Sequence, residues 1–223
     1  MKVLLIGATG ATGKDLLEIL LTDNEIQKVD IFVRRELNVK HEKLTAHVIN
    51  FDKPEEWEAL VTGDALFSCL GTTLKAAGSK EAQWKVDYEY QYQFADIARK
   101  NGVNKYVLVS SAGASAKSPF FYMKMKGQLD EAVKTLDFPK LIIFNPPGLI
   151  RKNSDRRGEI FAVKMMKILN KFGLFRSQKP LATKLLAEAM LKSVKTLQNG
   201  DYSISSQQIL DILQTERNNI NRF

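Results

Sequence analysis

An internal disulfide is closed to this chain. Its 223 residues include one cysteine, Cys69, which has no internal partner and suits a reducing compartment, so a cytoplasmic protein is expected. Histidines are almost as scarce. His41 and His47 are the only two, no zinc-type spacing is present, and no metal is expected. Long apolar runs are missing too: nothing approaches the ~20 residues that cross a bilayer, which argues against a membrane partner. The glycines at Gly7, Gly10 and Gly13 interrupt any export-signal core behind Lys2. There is no internal repeat, no low-complexity tract and no linker. One domain over 1–223 follows, with a cofactor-binding core at 1–150 and substrate-side and C-terminal helices at 151–223. Basic residues outnumber acidic ones, 33 to 25, for a net charge of +8, yet they are scattered. The densest stretch, Arg151, Lys152, Arg156 and Arg157, is broken by Asp155 and followed by Glu159. Without a basic helix or an aromatic-interleaved stripe, nucleic acid is not the expected partner, and the positive balance suits a small anionic ligand.

What the chain does have is alternation. Strand-like apolar runs fall at 3–6, 28–33, 46–50, 65–69, 105–110 and 140–144. Helical patterns separate them at 12–21, 54–61, 80–100 and 119–136, and recur at 160–170, 180–196 and 206–214. Strand–helix alternation with continuously apolar strands predicts an α/β fold. A doubly wound parallel sheet of the Rossmann type would carry helices on both faces. Acidic pairs such as Glu55 and Glu56 read as a solvated helix face. Trp84, Tyr88 and Tyr92 repeat every four residues, an aromatic stripe for packing or for an oligomer contact. Monomer and homodimer both stay open.

The opening of the chain carries the sharpest motif. Val3 to Ile6 is an apolar strand; Gly7, Gly10 and Gly13 follow at three-residue spacing, and a helical pattern begins at Thr12. Gly7 lets the chain turn, Gly10 clears space where a pyrophosphate meets the backbone, and Gly13 lets the helix lie close to its strand. The turn residues Thr9, Ala11 and Thr12 complete the loop, and the helix N-terminus presents free N–H groups and a positive dipole end to an anion. Arg34 and Arg35 follow the second strand, where a ribose-reading residue belongs. An acid there would hold a 2′-hydroxyl; arginine instead suits a 2′-phosphate, so NADP(H) is the expected cofactor rather than NAD(H). Asp52, after the third strand, is placed to meet an adenine amino group.

The chemistry is expected at the carboxyl ends of the strands. Ser110 and Ser111 end the fifth strand; Ser118 is a good N-cap and Pro119 a good first helical residue, and Tyr122 and Lys126 then share one helical face. A carbonyl receiving hydride needs a proton on its oxygen, which Tyr122 can supply. A free phenol titrates near ~10, and bringing it to about 7 takes roughly 4 kcal/mol of differential stabilisation. Lys126, the oxidised nicotinamide and partial desolvation would act together, with Ser111 orienting the substrate oxygen and Lys126 also holding the nicotinamide ribose. Cys69, at a strand end, reads as small-residue packing beside the cofactor rather than as a redox sensor.

These residues resemble the short-chain dehydrogenase/reductase superfamily. The spacing of Gly7, Gly10 and Gly13 is the turn of its extended and atypical branch. The segments from Phe67 to Thr73, Val109 to Ala114 and Tyr122 to Gly127, with the Pro147-Gly148 turn, look most like the Tat-interacting-protein group of atypical members. The likeness covers nearly the whole chain and is firmest from Met1 to Ile150. It implies an NADP(H)-binding Rossmann domain in which Cys69, Leu70, Gly71 and Thr72 line the cofactor. It also implies that Ser110 lies beside the cofactor and that Pro147, Gly148 and Leu149 meet its nicotinamide end. Two departures stand out: Asp87 occupies the place where many members carry a relay asparagine, and Asn145-Pro146-Pro147 replaces the usual Arg-Pro.

The expected activity is an NADP(H)-dependent oxidoreductase acting on a carbonyl or alcohol. The other reading is a regulatory or scaffold protein that binds NADP(H) without turnover. The intact Ser111, Tyr122 and Lys126 favour the enzyme; Asp87 and the short region after Gly148 favour the sensor.

Overall fold

The six strand-like runs become six parallel strands in the computed structural model, which describes residues 1–150 and 180–220. They are β1 (Lys2–Ile6), β2 (Lys28–Val33), β3 (Leu44–Val48), β4 (Ala65–Ser68), β5 (Lys105–Val109) and β6 (Lys140–Asn145). A short parallel pair, β7 (Leu149–Ile150) and β8 (Leu181–Ala182), stands apart from them. A strand not expected from the sequence, β9 (Gly200–Ser205), adds to β6 from Lys140 opposite Gly200 to Asn145 opposite Ser205. Its polar composition hides it from a hydrophobicity reading, because an edge strand buries only one side. The order β3-β2-β1-β4-β5-β6-β9 reverses between β1 and β4, so the loops after these two strands diverge and leave a crevice at their carboxyl ends.

Alternation along each strand divides the core between the two faces. Val3, Leu5, Val29, Ile31, Phe67 and Ile142 point to one face, covered by α1 (Ala11–Thr22) and α6 (Thr183–Thr196) through Leu16, Leu20, Leu186 and Met190. Leu4, Ile6, Phe32, Leu66, Tyr106 and Ile143 point to the other, covered by α4 (Tyr90–Lys100) and α5 (Phe121–Lys134) through Phe94, Ala98, Leu129 and Val133. Short α2 (Leu74–Ala77) and α3 (Lys80–Trp84) lead into α4, and α7 (Ser206–Ile220) follows β9.

Several boundaries differ from expectation. The 54–61 segment is two 3-10 turns, Pro54–Glu56 and Glu58–Leu60, because Trp57 leaves helical geometry to bury its indole, whose Nε1 donates to the Asn50 carbonyl at 2.8 Å. The 80–100 helix is interrupted by a π turn at Lys85–Glu89, where Asp87 is buried. Helix α5 begins at Phe121, not Pro119; Ser118 caps no helix, and its hydroxyl accepts the Phe120 N–H instead. Strand β3 lies two residues earlier than expected, α6 starts at Thr183 rather than 180, and α7 runs past 214. The helix expected at 160–170 lies outside the described residues.

Candidate functional site

The glycine turn is enforced by close approach. Gly7 has φ +82°, and a Cβ there would lie 2.3 Å from the Cys69 carbonyl carbon, so β1 and the loop after β4 meet backbone to backbone. A Cβ on Gly13 would lie 2.1 Å from the Gly7 carbonyl oxygen, so only glycine lets α1 begin there. Gly10 is the N-cap of α1; its N–H donates to the Gly7 carbonyl at 3.0 Å. No acid occupies the first turn of α1, so its positive end is uncompensated by a neighbouring side chain. Gly7, Thr9 and Gly10 form one wall of a cavity of about 460 Å³ at the crevice. Ala11 is exposed at the helix start, whereas Thr12 and Gly13 are buried beneath the turn.

Cys69, Leu70, Gly71 and Thr72 form the facing wall. The Cys69 thiol is pushed up to about 12 by burial, with the Lys126 charge pulling the other way. It carries no thiolate at neutral pH, which fits packing rather than redox sensing. Arg34 lines the cavity and Arg35, beside it, is exposed without lining it. The far end is built by Phe51, Lys85 and Tyr90, which the sequence did not single out. Phe51 and Tyr90 rings lie 5.1 Å apart, and the Lys85 ammonium sits 5.7 Å from the Tyr90 ring centre. Asp52 stands behind this wall: its Oδ1 lies 2.7 Å from Lys85 Nζ and accepts the Tyr90 hydroxyl at 2.8 Å. The Lys85 hydrogen bond, then that of Tyr90, holds this carboxyl below its usual range.

Past the Cys69–Thr72 wall lie the expected chemical residues. Tyr122 is in the first turn of α5, and Lys126, one turn on, is 3% exposed. Ser111, just past β5, acts on the Tyr122 phenol, and its Oγ donates to the Ala112 carbonyl at 3.3 Å. Asp87 links the two regions, with Oδ1 at 3.5 Å from Lys126 Nζ and Oδ2 accepting the Thr72 N–H at 2.9 Å. Where a relay asparagine was looked for, the π turn delivers a carboxylate.

The electrostatics correct one expectation. Burial raises the Tyr122 phenol above its ordinary range; Lys126 pulls it down, and Asp87 pushes it up again. The desolvation expected to help Lys126 lower the phenol instead works against it and is the largest effect, and Asp87 offsets part of the Lys126 field. Burial works against the Lys126 ammonium, but Asp87, Tyr122 and Asp130 together raise it above the usual lysine range. Burial raises the Asp87 carboxyl, with Lys126 opposing.

Other expected positions point elsewhere. Successive residues at a strand end face opposite ways, so Ser110 turns from the cavity and donates to Asp130 Oδ2 at 2.8 Å. Pro147, Gly148 and Leu149 do not line the 460 Å³ cavity. Gly148 accepts the Leu181 N–H at 3.0 Å, and Leu149 pairs with Leu181 in the small β7–β8 ladder. Asp130 is not singled out by the sequence, and Gly127 enters there only as the end of the Tyr122-to-Gly127 segment. Asp130 follows Lys126 by one turn, a periodicity that would have flagged it. Gly127 is irreplaceable for a tertiary reason: a Cβ there would lie 2.1 Å from the Ser115 carbonyl carbon. Trp84, Tyr88 and Tyr92 stack as a ladder with ring centres 4.5 and 6.2 Å apart. Among the described residues no group of three His, Cys, Asp or Glu side chains could hold a metal, and no helix is long and apolar enough to cross a membrane.

The glycine cradle, the uncompensated helix N-terminus and Arg34 on the same wall fit a pyridine dinucleotide. Comparison with known proteins agrees. Residues 7–161 match the family model described as NAD(P)H-binding. The protein FMP52, mitochondrial, of Saccharomyces cerevisiae is 37% identical over 164 residues, 71% of this chain and 71% of that protein. Protein HTATIP2 of Rattus norvegicus is 35% identical over 167 residues, 73% of this chain and 69% of that protein. Among solved structures, UDP-glucose 4-epimerase of Thermotoga maritima superposes with a TM-score of 0.71 at 12% identity, covering 92% of this chain and 76% of that one. The oxidoreductase ylbE of Lactococcus lactis superposes with a TM-score of 0.66 at 19% identity, covering 96% and 97%. At such identities these two speak for the fold alone. The cytoplasmic expectation is overturned by the fungal relatives, which are named mitochondrial. It rested on a lone cysteine, which fits any reducing compartment.

Proposed function

This chain belongs to the NAD(P)H-binding family, as an atypical short-chain-type Rossmann protein, and we propose that it is an NADP(H)-dependent oxidoreductase interconverting a carbonyl and an alcohol. The observation that carries this reading is the buried Lys126, one helical turn from Tyr122 and joined through Asp87 to the wall of the dinucleotide cavity. The bound cofactor would supply or accept the hydride. Ser111 would hold the substrate oxygen, and Tyr122 would give that oxygen its proton in reduction or remove it in oxidation. Lys126 would favour the phenolate when Tyr122 has given its proton up. Arg34 supports NADP(H) over NAD(H), since a guanidinium matches a 2′-phosphate. The high-lying free Tyr122 favours a second reading, in which nucleotide is bound and sensed without turnover.

Two measurements decide. In a nucleotide titration the wild type binds NADPH more tightly than NADH, and Arg34→Ala loses most of that preference; equal affinities in the wild type would remove the 2′-phosphate role. Against a panel of aldehydes, ketones and quinones, NADPH is consumed by the wild type and not by Tyr122→Phe. Tight NADPH binding with no turnover of any panel member leaves the sensor reading standing.

A further inference from the structure

Three buried polar side chains stand four residues apart on the helical segment that runs from α3 into α4. Gln83 is 4% exposed, Asp87 1% and Gln91 0%. All three serve the segment that ends β4 and forms the facing wall of the dinucleotide cavity. Gln83 Nε2 donates to the Thr72 carbonyl at 3.2 Å, and Asp87 Oδ2 accepts the Thr72 N–H at 2.9 Å. Gln91 Oε1 accepts the Ser68 hydroxyl at 2.6 Å. The 68–72 segment is thus pinned at both ends, and the middle side chain of the stripe also pairs with Lys126.

The π turn is what aligns the three. In an unbroken α-helix a four-residue spacing drifts by about 40° per step, so Gln91 would point about 80° away from Gln83. The i→i+5 turn at Lys85–Glu89 takes in one more residue and brings the two back into line. Such turns are rare, and Gln91 holds this one from its C-terminal side: its Nε2 donates to the Asp87 carbonyl at 2.6 Å. Ser68 and Gln91 are both fully buried, so neither can replace the other with water.

We propose that Gln91 is a positioning residue which, with Ser68, locks the π turn in the register that presents Asp87 to Thr72 and Lys126; its use in turnover rests on the oxidoreductase reading. Neither Gln91 nor Ser68 lines the dinucleotide cavity, so Gln91 acts on it through Asp87 and the 68–72 segment. One polar unit therefore sets both where the cofactor wall stands and how close a carboxylate comes to Lys126. The groups that act on the Lys126 ammonium are Asp87 of the π turn, Tyr122 and Asp130 of α5, and Cys69 after β4. Of these, Asp87 alone is carried by the turn that Gln91 holds.

The first test needs neither cofactor nor substrate. Gln91→Met keeps the side-chain length and loses both hydrogen bonds, and amide hydrogen exchange is followed by NMR. The Thr72 amide is expected to exchange about tenfold faster relative to the strand amides of Leu66 and Val107, whose rates report global stability. Where Gln91→Met folds poorly, Ser68→Ala is added to it. That double variant leaves no buried hydroxyl unpaired and recovers stability, yet Thr72 still exchanges fast. On a substrate turned over by the wild type, the rising limb of the oxidation pH–rate profile moves to lower pH in both variants, because Asp87 raises both Lys126 and Tyr122. Thr72 exchange that tracks Leu66 and Val107 in the folded variants, or a limb that stays in place, overturns the proposal. A wild type that turns nothing over removes the oxidoreductase reading instead, and Thr72 exchange still decides the role of Gln91.

Discussion

At the residue scale the decisive charge is that of Asp87. Sequence spacing placed Tyr122 and Lys126 on one face correctly, because four residues make one helical turn. It could not say what the lysine touches, since Asp87 reaches it from another element across 39 positions. The carboxylate raises both Lys126 and Tyr122. Asp87→Asn removes that charge, so both groups titrate at lower pH than in the wild type. Alcohol oxidation needs the phenolate, and its rate rises as pH passes through the Tyr122 ionisation. The expected outcome is that the rising limb of the oxidation pH–rate profile moves to lower pH in Asp87→Asn; a limb that stays in place or moves up excludes this coupling. The three glycines were legible for the opposite reason: their spacing behind an apolar strand is itself a local pattern, even though Gly7 meets Cys69 across the sheet.

At the element scale α5 matters most, because it carries Tyr122, Lys126 and Asp130 one turn apart and fixes them by lying directly on the 113–116 loop. Gly127 permits that contact. In Gly127→Ala the added carbon cannot be accommodated beside Ser115 backbone, so the helix has to shift and take Tyr122 and Lys126 with it. Overpacking of this kind costs about 1–3 kcal/mol. The variant is expected to melt at lower temperature and to lose kcat more than nucleotide affinity, measured by thermal unfolding and steady-state kinetics side by side. The π turn at Lys85–Glu89 and the paired 3-10 turns around Trp57 were not legible, because both give up regular helix to satisfy a buried side chain. Nothing in local propensity announces either one.

At the scale of the whole molecule, ligand binding should appear as global stability. The cavity is built jointly by the loops after β1, β2 and β4 and the segment into α4, so a dinucleotide that binds only the folded chain stabilises all of them. At a hundredfold excess over Kd this is worth about 2.7 kcal/mol, or roughly 5–10 °C in Tm for a chain of this length. NADPH is expected to raise Tm by that amount in a thermal shift assay, and NADH at equal concentration by less; no shift at millimolar NADPH contradicts the binding site itself. The sequence by itself determined the parallel α/β architecture and the dinucleotide turn, since strand alternation, continuous apolar runs and glycine spacing are local properties that survive in one dimension. Only the tertiary structure decided that β9 completes the sheet, that Asp52 is held by Lys85 and Tyr90, that Ser110 is spent on Asp130, and that Asp87 pairs with Lys126. Each of those depends on which residues from distant segments are brought within a few ångströms, and burial then sets their charge.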